Sequence, residues 1–195
     1  MRKIAEKYDD RFDNLLYRIA DKIVPFAFLL GMTPNMITTL SNISCIICIV
    51  LLLKSQYLWA CFFLILSYYF DCMDGHMARK YNMVTVFGDY YDHISDVLKI
   101  TAVLATLYYI NRVKFFRFIP VLIILVILFS RHLGCQELLY NIDQSPTLKP
   151  LKNFCPVNNT KDINQIKKAL LSTRNFGCGT FYIGLICMLL YYKYY

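Results

Sequence analysis

Residues 71–96, DCMDGHMARKYNMVTVFGDYYDHISD, place five carboxylates between two apolar runs. On a helix, Asp71 and Asp74 at i, i+3 share one face, and Asp92 and Asp96 at i, i+4 share another. On adjoining helices, the four would point into one cleft. An ionised Asp near the bilayer centre costs at least about 2.5 kcal/mol even on the lenient insertion scale, and like charges at short range oppose one another's ionisation. Acids solvated at helix ends would suit a lone pair; four at these spacings call for a bound cation. All-oxygen ligands select hard ions, and Mg2+ (or Mn2+) joins one or two carboxylates to phosphate oxygens. Two such ions would balance four aspartates, which predicts a two-metal phosphoryl-transfer centre.

The neighbouring residues suit phosphate. Gly75 and Ala78 lie on the turn beside the acids, where short side chains let a flat base or a phosphate approach the backbone, and Arg79 supplies a forked donor. Lys99, one turn past Asp96, either neutralises the acids or touches substrate. Arg131 and His132 lie about 24 Å along a helix counted from Phe115, at ~1.5 Å per residue. That is the depth of the aspartates. An Arg within a span is a functional candidate, with an acceptor or lipid phosphate, or a local acid such as Asp92 or Glu137, as its partner.

Positioning these groups requires membrane helices. The 195 residues are 57% hydrophobic and 16% aromatic, above the range of soluble domains. Apolar runs at 36–53, 57–70, 97–110, 118–130 and 176–192 predict an all-α integral membrane bundle of five spans, with a sixth left open in 141–175. Phe12, Leu15, Leu16, Ile19 and Ile23 recur at helical spacing, with Asp13, Asn14, Arg18, Asp21 and Lys22 on other faces, so residues 8–24 read as an interfacial amphipathic helix. Gly31 suits its end, and Thr33 and Pro34 suit the start of the first span. The second span continues to about Arg79 and the third begins near Gly88, so KYNMVTV would join them as an antiparallel hairpin that folds the acidic segment into one site. The chain thus reads as a single domain: 1–33 interfacial helix, 34–140 catalytic core, 141–175 polar loop with a short helix at 163–171, and 176–195 last span.

A net charge of +8 could suggest nucleic acid, but the basic residues flank apolar spans, so no nucleic-acid partner is expected. With the N-terminus inside, fourteen Lys and Arg fall in cytoplasmic segments and five outside. This asymmetry predicts a cytoplasmic N-terminus and active site. The first thirty residues lack the apolar core of a secretory signal, leaving targeting to the first span. The Asn158-Asn159-Thr160 sequon is expected to stay unmodified in an inside loop. Among the eight cysteines, Cys45, Cys48, Cys61 and Cys187 lie in spans, and the set reads as small apolar packers rather than as disulfides or a zinc site.

DCMDGHMAR, then eight residues, then GDYYDHISD resembles, at every fixed position, the D-x2-D-G-x2-A-R-x8-G-x3-D-x3-D signature of the CDP-alcohol phosphotransferase (CDP-alcohol phosphatidyltransferase) family. The resemblance implies metal-ligand roles for Asp71, Asp74 and Asp92, and for Asp96 both metal contact and general-base duty. It implies that Gly75, Ala78 and Arg79 line a cytidine diphosphate pocket, and that Gly88 permits close packing of the hairpin. TPNMITTLS resembles the family's Pro-Asn-x-x-Thr element, which places Asn35 and Thr38 near the nucleotide. YDHISD resembles the Asp-His-x-x-Asp version of choline and ethanolamine phosphotransferases, which makes His93 an alternative base. The implied reaction is attack of an alcohol on a CDP-linked donor, with release of CMP.

The expected partners are a CDP-linked lipid or CDP-amino alcohol, an alcohol acceptor, membrane lipid and, by the resemblance, a second copy in a homodimer. CDP-diacylglycerol with a small polar alcohol such as inositol or glycerol phosphate is the leading pairing, and CDP-choline or CDP-ethanolamine with diacylglycerol the alternative. A hydrolase and a prenyl transferase are enzymatic rivals, the latter opposed by the Gly75, Ala78 and Arg79 spacing. A divalent-cation transporter would need acids along a transmembrane path, whereas these gather at one face.

Overall fold

The computed structural model describes residues 4–140, 149–157 and 162–194. Seven α-helices make up the fold among these residues: α1 (Arg11–Leu29), α2 (Pro34–Leu53), α3 (Tyr57–Lys80), α4 (Val86–Ile110), α5 (Arg112–Tyr140), α6 (Ile163–Thr173) and α7 (Cys178–Tyr194). Short 3-10 turns at Glu6–Tyr8, Lys149–Phe154 and Arg174–Phe176 join them. The architecture is the expected all-α membrane bundle.

The chain's punctuation follows from side-chain chemistry. Asp10 caps α1 by accepting from the Phe12 amide at 2.8 Å, and Gly31 leaves that helix at φ +73°, a left-handed conformation that glycine adopts without strain. Thr33 caps α2 by accepting from the Met36 amide at 3.3 Å, with Pro34 in the first turn. Thr85 caps α4 by accepting from Gly88 N at 3.0 Å.

Three stretches are long and apolar enough to cross a membrane by composition: Pro34–Leu53, Arg112–Leu139 and Ile163–Tyr194. Helices α3 and α4, of 24 and 25 residues, are also long enough for a ~30 Å core, but their acids lower the mean hydropathy. At 11 residues α6 reaches only about 17 Å, so it cannot form a sixth span. The central core joins α2, α3, α4 and α7 through Cys48, Leu52, Ala60, Leu107 and Leu189, all fully buried.

The structure departs from the sequence reading in four places. First, α2 packs closely on both α3 and α4, whereas α3 and α4 make few close backbone approaches to one another. The hairpin connectivity holds, but the acid-bearing helices are splayed over α2 with a cleft between them. Second, α1 begins after Asp10 and runs on through Pro25 to Leu29. Its Asp13 and Asn14, expected in the headgroup layer, are buried against the bundle, while Leu15, Ile19 and Ile23 are exposed. A bilayer inverts the usual amphipathic rule, because the outward apolar stripe meets lipid.

Third, Cys135 and Cys155 form a disulfide that clips the Lys149–Phe154 turn onto α5. Among the eight cysteines, Cys45, Cys48, Cys61 and Cys72 are the buried thiols that match the packing expectation. Gly134 explains the close approach, since a Cβ there would collide with the Leu151 carbonyl oxygen. Fourth, Gly88 makes room for its own helix cap and for α2, since an added Cβ would meet Thr85 Oγ1 at 2.9 Å and Asn35 Oδ1 at 3.2 Å. The Asn158-Asn159-Thr160 sequon lies outside the described residues.

The disulfide closes a loop of 20 residues, which predicts about 3 kcal/mol of stabilisation on the chain-entropy scale. Thermal unfolding in detergent should show a lower midpoint for Cys135→Ser than for the oxidised wild type, with reductant bringing the wild type down to match. An unchanged midpoint in both arms would refute the linkage.

Candidate metal and nucleotide site

The four aspartates divide into three and one. Carboxylate oxygens of Asp71 on α3 and of Asp92 and Asp96 on α4 all lie within 4.8 Å of one another. Asp74, one turn along α3, is buried and accepts from the Thr38 hydroxyl at 2.6 Å, which ties it to α2. Lys99 sits beneath the trio. Its ammonium lies 2.7 Å from Asp71 Oδ1 and 2.9 Å from Asp96 Oδ1, and donates to Ser41 Oγ at 2.7 Å. Of the two roles expected for Lys99, neutralising the acids is the one the geometry displays. Asp92 Oδ1 is buried without a hydrogen-bond partner among the described residues.

Two cavities, each of about 160 Å³, open on either side of this cluster. The first is lined by Asn35, Thr38, Asp74, Gly75, Ala78 and Arg79, so the residues expected around a nucleotide do share one space. The room beside Gly75 is taken by its neighbour: a Cβ there would stand 3.1 Å from Arg79 Nη1, so the missing side chain admits the folded guanidinium. The second cavity is lined by Asp71 and Asp96 from the cluster, Asp9 and Asp13 from the N-terminal segment, and His132 and Gln136 from α5. Gly75, Arg79, Asp92 and His93 line both and form the divide.

His93 Nδ1 lies 2.7 Å from the Asp89 carbonyl oxygen. A carbonyl only accepts, so Nδ1 carries a proton, and in the neutral ring the lone pair is on Nε2. His132 is fully buried between Thr173 Oγ1 and Gln136 Nε2, each at 3.0 Å. Because Thr173 donates onward to the Ala169 carbonyl, His132 donates from Nδ1 and accepts at Nε2. Both nitrogens are engaged, Nδ1 with Thr173 on α6 and Nε2 with Gln136 one turn on along α5, although the ring lines the cavity. Arg131 lines neither cavity.

The N-terminal acids were not singled out as site residues by sequence. Asp10 accepts from Thr180 Oγ1 at 2.6 Å and from Gly177 N at 3.2 Å, which pins α1 to α7. Asp13 accepts from the Tyr68 hydroxyl. A Cβ on Gly179 would come 2.5 Å from Asp13 Oδ1, so glycine is what lets this carboxylate in. Burial, then repulsion from Asp9, raises the Asp13 carboxyl to about 8. The legible signal was the DDRFD spacing in a segment otherwise read as headgroup-facing.

A membrane-embedded helical bundle carrying an all-oxygen carboxylate cleft beside a glycine- and arginine-lined cavity defines a class of phosphoryl-handling membrane proteins. The family model for CDP-alcohol phosphatidyltransferase matches residues 31–189, the greater part of the chain, and the chain belongs to that family. No curated protein and no solved structure matches it. Membership makes it a membrane-bound transferase of phospholipid biosynthesis that uses a CDP-alcohol donor and an alcohol acceptor.

Asp13 gives the fold a pH dependence. Its folded value is raised from 3.8 to about 8, so its proton is bound more tightly in the folded chain. The resulting stability is complete below pH 4 and is lost as pH rises through 8. Denaturant titrations between pH 5 and pH 8 should show wild type losing stability at up to about 1.4 kcal/mol per pH unit relative to Asp13→Asn. Parallel pH profiles for the two proteins would contradict the assignment.

Proposed function

We propose that this protein transfers a phosphatidyl group from CDP-diacylglycerol to a small polar alcohol, making a phosphodiester and releasing CMP. The observation that carries the reading is the divide: carboxylates and His93 stand between two cavities, one suited to the nucleotide and one left for the acceptor. The donor set fits a divalent ion, because it is all oxygen, outnumbers its single lysine and includes the buried, partnerless Asp92 Oδ1. Asp71, Asp74, Asp92 and Asp96 would hold two Mg2+ ions, which when bound supply charge for the diphosphate and for the departing phosphate.

The chain's own residues do the rest. Arg79, folded over Gly75, offers its fork to the donor's phosphates, and Asn35 and Thr38 close the far wall of the nucleotide cavity. The acceptor hydroxyl attacks the lipid-bearing phosphorus; the new P–O bond forms as the bond to CMP breaks, and the hydroxyl proton goes to a base in the acceptor cavity. Asp96 lines that cavity and not the first, and Asp71, which shares this, is held by Lys99 at 2.7 Å, so Asp96 is favoured. The free Nε2 of His93 supports the second assignment, with Asp89 orienting the ring. Transport of a divalent ion is disfavoured, because the acids cluster at one end of α3 and α4.

The asymmetry of fourteen to five basic residues supports a cytoplasmic N-terminus and active site. The Cys135–Cys155 disulfide, in a segment that this orientation makes cytoplasmic, is the opposing signal. In a glycosylating membrane Asn158 should remain unmodified; a glycan there would reverse the orientation. The exposed Phe87, Ile94 and Val97 ridge of α4 offers a second copy a contact surface for a homodimer.

With Mg2+, CDP-diacylglycerol and an alcohol, Asp96→Asn should lower kcat by about 10²- to 10⁴-fold while keeping donor binding. His93→Ala should then retain most turnover. Near-normal turnover in Asp96→Asn together with collapse in His93→Ala would transfer the role to His93, and chelator-insensitive CMP release would remove the metal from the reading.

A further inference from the structure

We propose that Lys99 is a positioning residue, a resident cation of the carboxylate cleft that keeps Asp71 and Asp96 together while no ion is bound and, by its charge, weakens the cleft's hold on divalent ions. This deepens the reading above and rests on it, since it takes the cleft as a divalent-ion site.

Lys99 joins three helices at one ammonium. From α4 it donates to Asp71 Oδ1 on α3 and to Ser41 Oγ on α2, each at 2.7 Å. Its contact with Asp96 Oδ1 at 2.9 Å is one of charge, without the alignment of a hydrogen bond. The bridge to Asp71 thus spans α3 and α4, which make few close backbone approaches of their own. Like-charged carboxylates carried on two such helices repel, and the ammonium between them offsets that repulsion.

The cation is also confined. Its side chain is 5% exposed. Cys45, Leu64, Val103, Tyr182 and Leu185 pack on its other side, with no room for a water. Ser41 is fixed in turn, since its hydroxyl donates to the Ser67 carbonyl at 2.8 Å and so presents a lone pair to Lys99. An ammonium withdrawn from the acids would lie unpaired among apolar side chains, which is costly, so the charge stays at the cleft.

Two consequences for a divalent ion have the same sign. The ion enters a cleft whose negative field is already partly offset, and it meets a fixed like charge close by. Without the ammonium the empty cleft holds uncompensated acids and the entering ion is no longer opposed, so binding tightens. A lysine whose role is only to order the ligands predicts the reverse, because disordered ligands hold ions more weakly.

Mn2+ should be titrated into purified wild type, Lys99→Met and Lys99→Arg without nucleotide, with binding read by electron paramagnetic resonance and unfolding midpoints recorded alongside. Lys99→Met should bind Mn2+ at least about tenfold more tightly than wild type. Mn2+ should also raise its midpoint by more than it raises that of wild type. Lys99→Arg, which keeps the charge, should stay within about threefold of wild type. Equal or weaker Mn2+ binding by Lys99→Met overturns the inference, as does Lys99→Arg behaving like Lys99→Met. Should Lys99→Met fold only when Mn2+ is present, the inference is supported; should it stay unfolded with Mn2+ as well, the inference fails. Those failures leave the divalent-ion reading standing, whereas wild type that binds no Mn2+ even with cytidine diphosphate overturns that reading too.

Discussion

Three carboxylates with oxygens within 4.8 Å of one another, in a half-buried cleft of a membrane protein, cannot all stay ionised without positive charge among them. Lys99 supplies part of that charge from below, held in place by Ser41, which in turn donates to the Ser67 carbonyl at 2.8 Å. The remaining deficit faces the two cavities, where ions and a diphosphate can enter. Much of the surrounding structure acts to keep the acids close without letting the helices that carry them collapse together. Helix α2 does this by packing on both α3 and α4, with Thr38 bonded to Asp74 and Asn42 Nδ2 donating to Ser95 Oγ at 3.1 Å.

A second polar layer, made by the N-terminal segment, works on different terms. Asp10 and Asp13 reach across to Thr180, Gly177 and Tyr68, so α1 closes one side of the second cavity while Leu15, Ile19 and Ile23 face outward. The disulfide holds a further strap over α5 close to His132 and Gln136. Both devices shape the second cavity, whereas the first is built from α2, α3, α4 and the turn that joins the last two.

The catalytic half of the molecule was legible in the sequence because its information is local. Helical spacing put Asp71 with Asp74 and Asp92 with Asp96, and the turn at Gly31, Thr33 and Pro34 announced the first span. The family signature pointed to Asn35, Thr38, Gly75, Ala78 and Arg79, and these share one cavity. What escaped was long-range. No spacing rule tells that Asp13 meets Tyr68, that Gly88 packs on Asn35, or that Cys135 pairs with Cys155 across a polar loop. Depth along α5 was legible for Arg131 and His132, but depth alone does not give azimuth, and of the two only His132 lines the second cavity. The apolar stripe of α1 was legible as a stripe, and the burial of Asp13 and Asn14 against the bundle was not.

The central claim is that the carboxylate cleft is a cage for divalent ions. Titrating Mn2+ into the purified protein with a cytidine diphosphate ligand, followed by electron paramagnetic resonance, tests it without relying on turnover. The account predicts saturable binding of two coupled ions, with at least one lost in Asp92→Asn. Absence of saturable Mn2+ binding, or equal binding by Asp92→Asn, would contradict it.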